Sequence, residues 1–247
     1  MFEANALSMN APTSGGLRVA VVTPYYKESL ALLGQCHASV LQQTYSCLHV
    51  LIADGYPYPA IDGWKAHHVC LPASHHDIGS TPRLIGCYHA IGLGVDAVAF
   101  LDADNWYEPN HIELLLQEQL SQSADFVSSS RMLCRLDGSQ MGPCPLTNPS
   151  RFIDTNCMLL MRNAFPLLHH WVLMPAYGHL IGDRIMFHHL RRAGLKHAHL
   201  DATTVNYRCG KEGLYHRLGE AVPPGVEPRP NYEASFRQWI ADGNPPL

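Results

Sequence analysis

The chain has 247 residues, 47% of them hydrophobic and only 15% charged, with a formal net charge of -4. That apolar mass suffices for one substantial core, while the lack of any run of Lys or Arg argues against nucleic acid as a partner. The longest apolar runs, such as 95–101 and 157–161, fall far short of the roughly 20 residues a membrane-spanning helix needs, which argues against a transmembrane segment.

Residues 1–16 include Glu3, Asn5 and Asn10 and lack both a basic start and a long apolar centre. They read as a flexible leader rather than a secretion signal. Residues 17–23 predict a first, β-branched strand, broken by Pro24-Tyr25-Tyr26. Ser29 is placed to cap a helix whose apolar positions Leu30, Leu33, Val40 and Leu41 recur at near-helical spacing until about Tyr45. A second strand, 48–53, ends at Asp54-Gly55, and the order strand, helix, strand is the unit of a parallel sheet. Ser80-Thr81-Pro82 starts the next helix, with Arg83 in its first turn and Gly94 as its stop. The third strand, 95–101, runs directly into Asp102-Ala103-Asp104.

Strand ends at Thr23, Asp54 and Asp102 would then lie along one sheet edge, where open α/β sheets bind nucleotide-sized ligands. Two carboxylates there suit a divalent cation, and the cation suits a diphosphate. The plain alternative is a strand end and turn before a helix capped near Asn110. The second half is less regular: a strand at 124–132, a Gly-, Pro- and Asn-rich stretch at 136–150, a strand at 155–161, a helix from Leu180-Ile181-Gly182-Asp183 to Gly194, and a last strand at 200–207. It is expected to form the second substrate's side of a cleft. A Pro-rich tail follows, with a short helical stretch at 232–240. Eight cysteines without C-x-x-C spacing read as free thiols of a reducing cytoplasm. The adjacent histidine pairs at 67–68, 75–76, 169–170 and 188–189 point in different directions and read as surface or partly packed imidazoles.

Four segments, taken together and in order, carry a resemblance. They are Val19-Ala20-Val21-Val22-Thr23-Pro24-Tyr25-Tyr26-Lys27-Glu28, Ser39-Val40-Leu41-Gln42-Gln43-Thr44-Tyr45, Ile52-Ala53-Asp54-Gly55 and Phe100-Leu101-Asp102-Ala103-Asp104. The chain resembles the family 2 glycosyltransferases with the GT-A fold over about its first 110 residues. Ile181-Gly182-Asp183 and Asn206-Tyr207-Arg208 extend the match more weakly. The helix from Thr81 to Ile91 is similar to that of small bacterial enzymes of the spore-coat polysaccharide type. One departure is Ala53, which stands where the family often has the first of two acids.

The resemblance implies a role for each residue. Asp54 would accept the uracil ring N–H, with Thr23, Pro24 and Tyr25 lining the base pocket and Tyr25 offering a flat face. Arg83 would bring positive charge to the uracil or the diphosphate. Asp102 would meet the ribose of the nucleotide or the metal shell and Ala103 the nucleotide, Asp104 would ligate Mn²⁺ or Mg²⁺, and His216 would complete the metal shell. Asp183 would be the general base, although an Asp before a helix is also an ordinary N-cap. Asp154 would contact the acceptor, where a plain loop Asp is the alternative.

The expectation is an α/β, single-domain GT-A fold with a mostly parallel central sheet flanked by helices. Its domain would span 17–220, with a nucleotide-binding half at 17–110 and an acceptor-binding half at 111–220, followed by a Pro-rich tail at 221–247. The expected activity is inverting, metal-dependent transfer from a nucleotide-diphospho-sugar donor, a UDP-sugar, to a glycan or other hydroxyl acceptor in the cytoplasm. A sugar-phosphate nucleotidyltransferase is the rival enzyme, but residues 24–28 lack the glycine-rich loop it requires. A catalytically silent nucleotide- or glycan-binding module is the rival from another class.

Overall fold

The computed structural model describes residues 16–247, so the expected leader lies outside the described residues except for Gly16. The first strand, β1 (Val19–Tyr25), is buried throughout and pairs in parallel with β2 (Leu48–Asp54) and β4 (Ala97–Phe100). β1 continues through Pro24 and Tyr25, where a break was expected. Its pairing to β4 stops at Val22, so the missing N–H of Pro24 costs that side of the ladder nothing. Between β1 and β2 runs α1 (Leu30–Leu41), its N-terminus capped by the Ser29 hydroxyl, which accepts from the Leu32 N–H. It ends before Tyr45 because residues 42–45 have other work, described below. β3 (His67–Leu71), a strand the sequence did not reveal, adds to the outer side of β2.

The helix α2 (Ser80–Gly92) returns across β1 and β2. At Gly86 a methyl group would overlap Ile52 and lie 2.6 Å from Val22 Cγ1, so only glycine permits this helix–sheet distance. After β4 the chain crosses to β5 (Trp106–Tyr107), then α3 (His111–Gln122), β6 (Phe126–Cys134), β7 (Gln140–Pro143), β8 (Met158–Met161), the short α4 (His170–Leu173), α5 (Gly182–Arg192), β9 (His197–Arg208), α6 (Glu212–Leu218) and α7 (Tyr232–Ala241). The sheet order is β3-β2-β1-β4-β8-β6-β9-β5, with β7 beside β6. β1, β2, β3 and β4 pair in parallel, as do β6 and β9 along their nine-residue register, whereas β4–β8, β6–β8, β6–β7 and β5–β9 are antiparallel.

The sheet curls so that β5, paired at its far edge, comes back beneath α1. The segment Ser39 to Tyr45 holds it there. The Ser39 hydroxyl accepts the Tyr107 N–H, the Gln43 amide donates to the Glu108 carbonyl and accepts the Ile112 N–H, and the Thr44 N–H donates to the Pro109 carbonyl. Tyr45 donates its hydroxyl to the Leu17 carbonyl at 2.6 Å. Helices cover both faces, and one main core extends from β1 through β8 to Trp239 of α7. No helix among the described residues is long and apolar enough to cross a membrane.

Candidate active site

A cleft of about 1020 Å³ opens where β1, β2 and β4 leave the core. Asp54 ends β2 there, and its buried carboxylate accepts from the Ser74 hydroxyl at 3.1 Å and from the His75 backbone N–H at 3.2 Å, with His75 Nδ1 also 2.7 Å away. Gly55 makes this approach possible. Its φ is +83°, and a Cβ there would overlap the Ser74 nitrogen and lie 2.7 Å from the Ala73 carbonyl carbon. The loop continues through His76 (φ 54°) and Ile78 (φ 55°), conformations that side chains adopt only when held. Between them Asp77 lines the cleft, one carboxylate oxygen capping α2 through the Thr81 N–H and the other buried with no partner among the described residues.

Arg83 is not a solvated first-turn residue. It is buried, its Nη2 donates to Asp102 Oδ1 at 2.8 Å, and its guanidinium lies 4.7 Å from the ring of fully buried Trp171. The second oxygen of Asp102 accepts from the Asn156 amide at 2.8 Å, and the same amide donates to Asp154 Oδ1 at 2.7 Å. Asn156 also accepts the Asp102 N–H at 2.6 Å. This fully buried side chain thus ties the two ends of the cleft together. Asp154 is ion-paired to buried Arg131, whose guanidinium lies 4.1 Å from the Tyr207 ring. Neither Asn156 nor Arg131 was singled out from sequence. The available signal for Arg131 was a charge inside an expected apolar strand, which a protein tolerates only when paired.

Most of the expected residues do face this cleft: Pro24, Tyr25, Asp54, Arg83, Asp102, Ala103, Asp104, Asp154 and Asp183 all line it. Three expectations need correction. Thr23 is fully buried, its hydroxyl 3.0 Å from His49 Nε2, so it packs behind the pocket and does not line it. Tyr25 offers no free face, because its side chain is buried, with its hydroxyl accepting the Tyr58 N–H at 3.1 Å and bonding to His68 Nε2 at 2.8 Å. Tyr26, half-buried, is the tyrosine with the more open side. His216 is exposed and does not line the cleft. α6 is turned so that Tyr215 packs inward and Gly213, Leu214 and Arg217 face the cleft.

Among the described residues no group of three or more His, Cys, Asp or Glu could hold a metal ion unaided. Mg²⁺-type sites seldom need one, since one or two carboxylates and the ligand's phosphates complete the shell. Asp104 fits that role. It lines the cleft half-buried, and burial together with the carboxylates of Asp102 and Glu28 pushes its pKa up to about 7, a local excess of negative charge that a cation relieves. Asp102 has both oxygens committed to Arg83 and Asn156.

Asp183 stands in the first turn of α5, with Oδ1 accepting the Arg184 N–H at 2.7 Å. Burial, followed by the Asp154 carboxylate, pushes its pKa up to about 6. Beside Asp183 and Arg184 the cleft is closed by residues that sequence reasoning left in the tail: Arg229, Pro230, Tyr232, Glu233 and Phe236.

No protein-family model matches this chain, and no curated protein matches it by sequence. Solved structures do match. TarS 1–349 from S. aureus in complex with UDP superposes with a TM-score of 0.60 at 10% identity over 82% of this chain, and TarS 1–349 alone gives 0.56 at 12%. A longer TarS chain gives 0.59 at 10%. The chain has the GT-A fold. It spans 63% of the TarS 1–349 chain and 38% of the longer one. The spore-coat subtype finds no support among these structures.

Proposed function

We propose that this protein is a glycosyltransferase that moves a sugar from a nucleotide diphosphate, UDP, to a hydroxyl acceptor with inversion. One observation carries the reading: Asp183, a carboxyl with a pKa of about 6, faces the same cleft as Asp54, the Arg83–Asp102 pair and Asp104. The complex of TarS 1–349 with UDP, on the same fold, supports uridine as the nucleoside. The motifs resembling family 2 support that family, and eight free cysteines support a reducing, cytoplasmic setting.

In this reading residues 17–110 hold the nucleotide and 111–220 the acceptor. Asp54 accepts the uracil N–H on lone pairs left over from Ser74 and His75. Asp102, fixed by Arg83 and Asn156, presents a rigid edge to the ribose. Asp104 would hold a divalent cation, Mn²⁺ or Mg²⁺, and that cation, when bound, would supply positive charge to the diphosphate leaving group. Asp183 takes the proton of the acceptor hydroxyl as the oxygen bonds to the anomeric carbon and the bond to the diphosphate breaks. A pKa near 6 suits a base working close to neutrality. One base and a direct displacement invert the anomeric configuration.

Calorimetric titration with UDP and dTDP, with and without Mn²⁺, tests the donor half. Binding of UDP that strengthens with Mn²⁺ is expected. Failure of both nucleotides to bind with Mn²⁺ present overturns the reading.

A further inference from the structure

Six Lys and Arg side chains line the cleft, and four of them are already neutralised. Arg83 is paired with Asp102, Arg131 with Asp154, Lys211 with Glu227 and Arg229 with Glu233. Among the described residues, Arg184 and Arg217 have no carboxylate within ion-pair distance. The Arg184 guanidinium lies 4.1 Å from the Phe152 ring and 5.4 Å from the Phe236 ring, so aromatic faces hold it in place without neutralising it. Burial holds its pKa below the ordinary arginine value, against the pull of the neighbouring Asp183 carboxylate and helped by the nearby charges of Arg131 and Arg217. Arg184 and Arg217 face the same cleft without an ion-pair partner among the described residues, and an oxyanion bound there can take charge-assisted, fork-shaped hydrogen bonds from both. Arg184 follows Asp183 directly, so the charge sits at the acceptor end and not at Asp54.

We propose that Arg184 and Arg217 form an oxyanion subsite for the acceptor, which is therefore a hydroxyl compound carrying a phosphate or a carboxylate. The assignment to the acceptor rests on the reading of Asp183 as the base. The full chain is titrated with glucose, glucose 6-phosphate and glucuronate, and separately with UDP. At least one of the two anions is expected to bind about tenfold tighter than glucose, about 1.4 kcal/mol, and the arm that gains identifies phosphate or carboxylate. Arg184→Gln and Arg217→Gln are each expected to abolish that gain while UDP affinity stays within about twofold. Arg217 is exposed, so Arg217→Gln keeps the test decisive should Arg184→Gln fail to fold. Arg184→Lys, with charge but no planar fork, is expected to retain part of the gain. Equal binding of glucose and both anions overturns the proposal, as does loss of UDP affinity in place of anion affinity, which would assign the arginines to the donor. If UDP fails to bind but the anion gain stands, the donor reading falls and the oxyanion subsite remains.

Discussion

At the Asp54 end of the cleft, Arg83 of α2 is buried, stacked on Trp171 of α4 and paired with Asp102, while Asp54 is held by the loop that leads into α2. The Asp183 end is assembled instead from β6, β9, α5, α6 and α7, and two of its arginines, Arg184 and Arg217, have no ion-pair partner among the described residues, Arg184 lying against the Phe152 ring. The contrast teaches where rigidity and selectivity reside. The first end is preorganised for a ligand of fixed shape, while the second owes its form to segments that a related chain can lengthen or replace without disturbing the sheet.

The largest expected effect separates the two ends outright. Asp183→Asn should lower turnover by about 10²- to 10⁴-fold, the usual contribution of a general base, with UDP affinity unchanged. Turnover at the wild-type rate would reject the assignment. At the other end, Gly55→Ala should destabilise the fold by about 2 kcal/mol and weaken UDP binding, because it forces a strained φ and pushes residues 73–75 off Asp54. Calorimetry and thermal unfolding read both. Asn156→Ala probes the tie between the ends. It strips a donor from both Asp102 and Asp154 and should cost about 1–3 kcal/mol, felt in UDP affinity and in turnover alike. An effect confined to one of the two would show that the ends act separately.

The smallest effects are those of pH. As base, Asp183 works deprotonated, so the rate should fall as pH drops below about 6. Its stability contribution has the opposite sign. Burial raises the folded-state pKa above the unfolded value, so the charged form destabilises the fold above about pH 6, and that penalty fades as pH falls toward the unfolded value. Asp183→Asn should therefore stabilise the protein by about 1 kcal/mol at pH 8 and not at pH 4, as denaturant unfolding would show.

How legible each end was in the sequence follows from how it is built. β1, β2 and β4 are largely apolar runs, a pattern that local periodicity reports; Asp54, Asp102 and Asp104 lie at or within a few residues of the ends of β2 and β4, and Arg83 follows the helix-start signal Ser80-Thr81-Pro82. Thr23 and Tyr25 were misplaced because a strand's alternation places residues on a face but does not reveal which neighbours fill that face, here His49, Tyr58 and His68. β3 and β5 were invisible. The first is a short run of histidine, valine, cysteine and leucine at the sheet's edge, and the second has two residues, too few for any period. Asn156 and Arg131 act through partners 54 and 23 residues away, and no local pattern encodes such pairings. The tail read as Pro-rich apart from a short helical stretch, and its six prolines drew attention from its apolar residues, yet Trp239 lies in the core and Phe236 packs against it.

The excursion of β5 to the far edge of the sheet bears on modularity. Trp106 and Tyr107 belong to the first half of the chain, yet their ladder partners are Asn206 and Val205 near its end, and Ser39 and Gln43 lock the strand from above. The two halves are therefore interleaved and do not simply abut. A fragment ending at residue 110 would present β5 as an unpaired edge, and a chimera that exchanges residues 111–220 for another segment must bring its own β9 in register with Trp106 and Tyr107. Recombination at the midpoint of this chain is barred by the sheet itself, which leaves the loops between β6 and β8 and the segment after β9 as the places where the Asp183 end of the cleft can be rewritten.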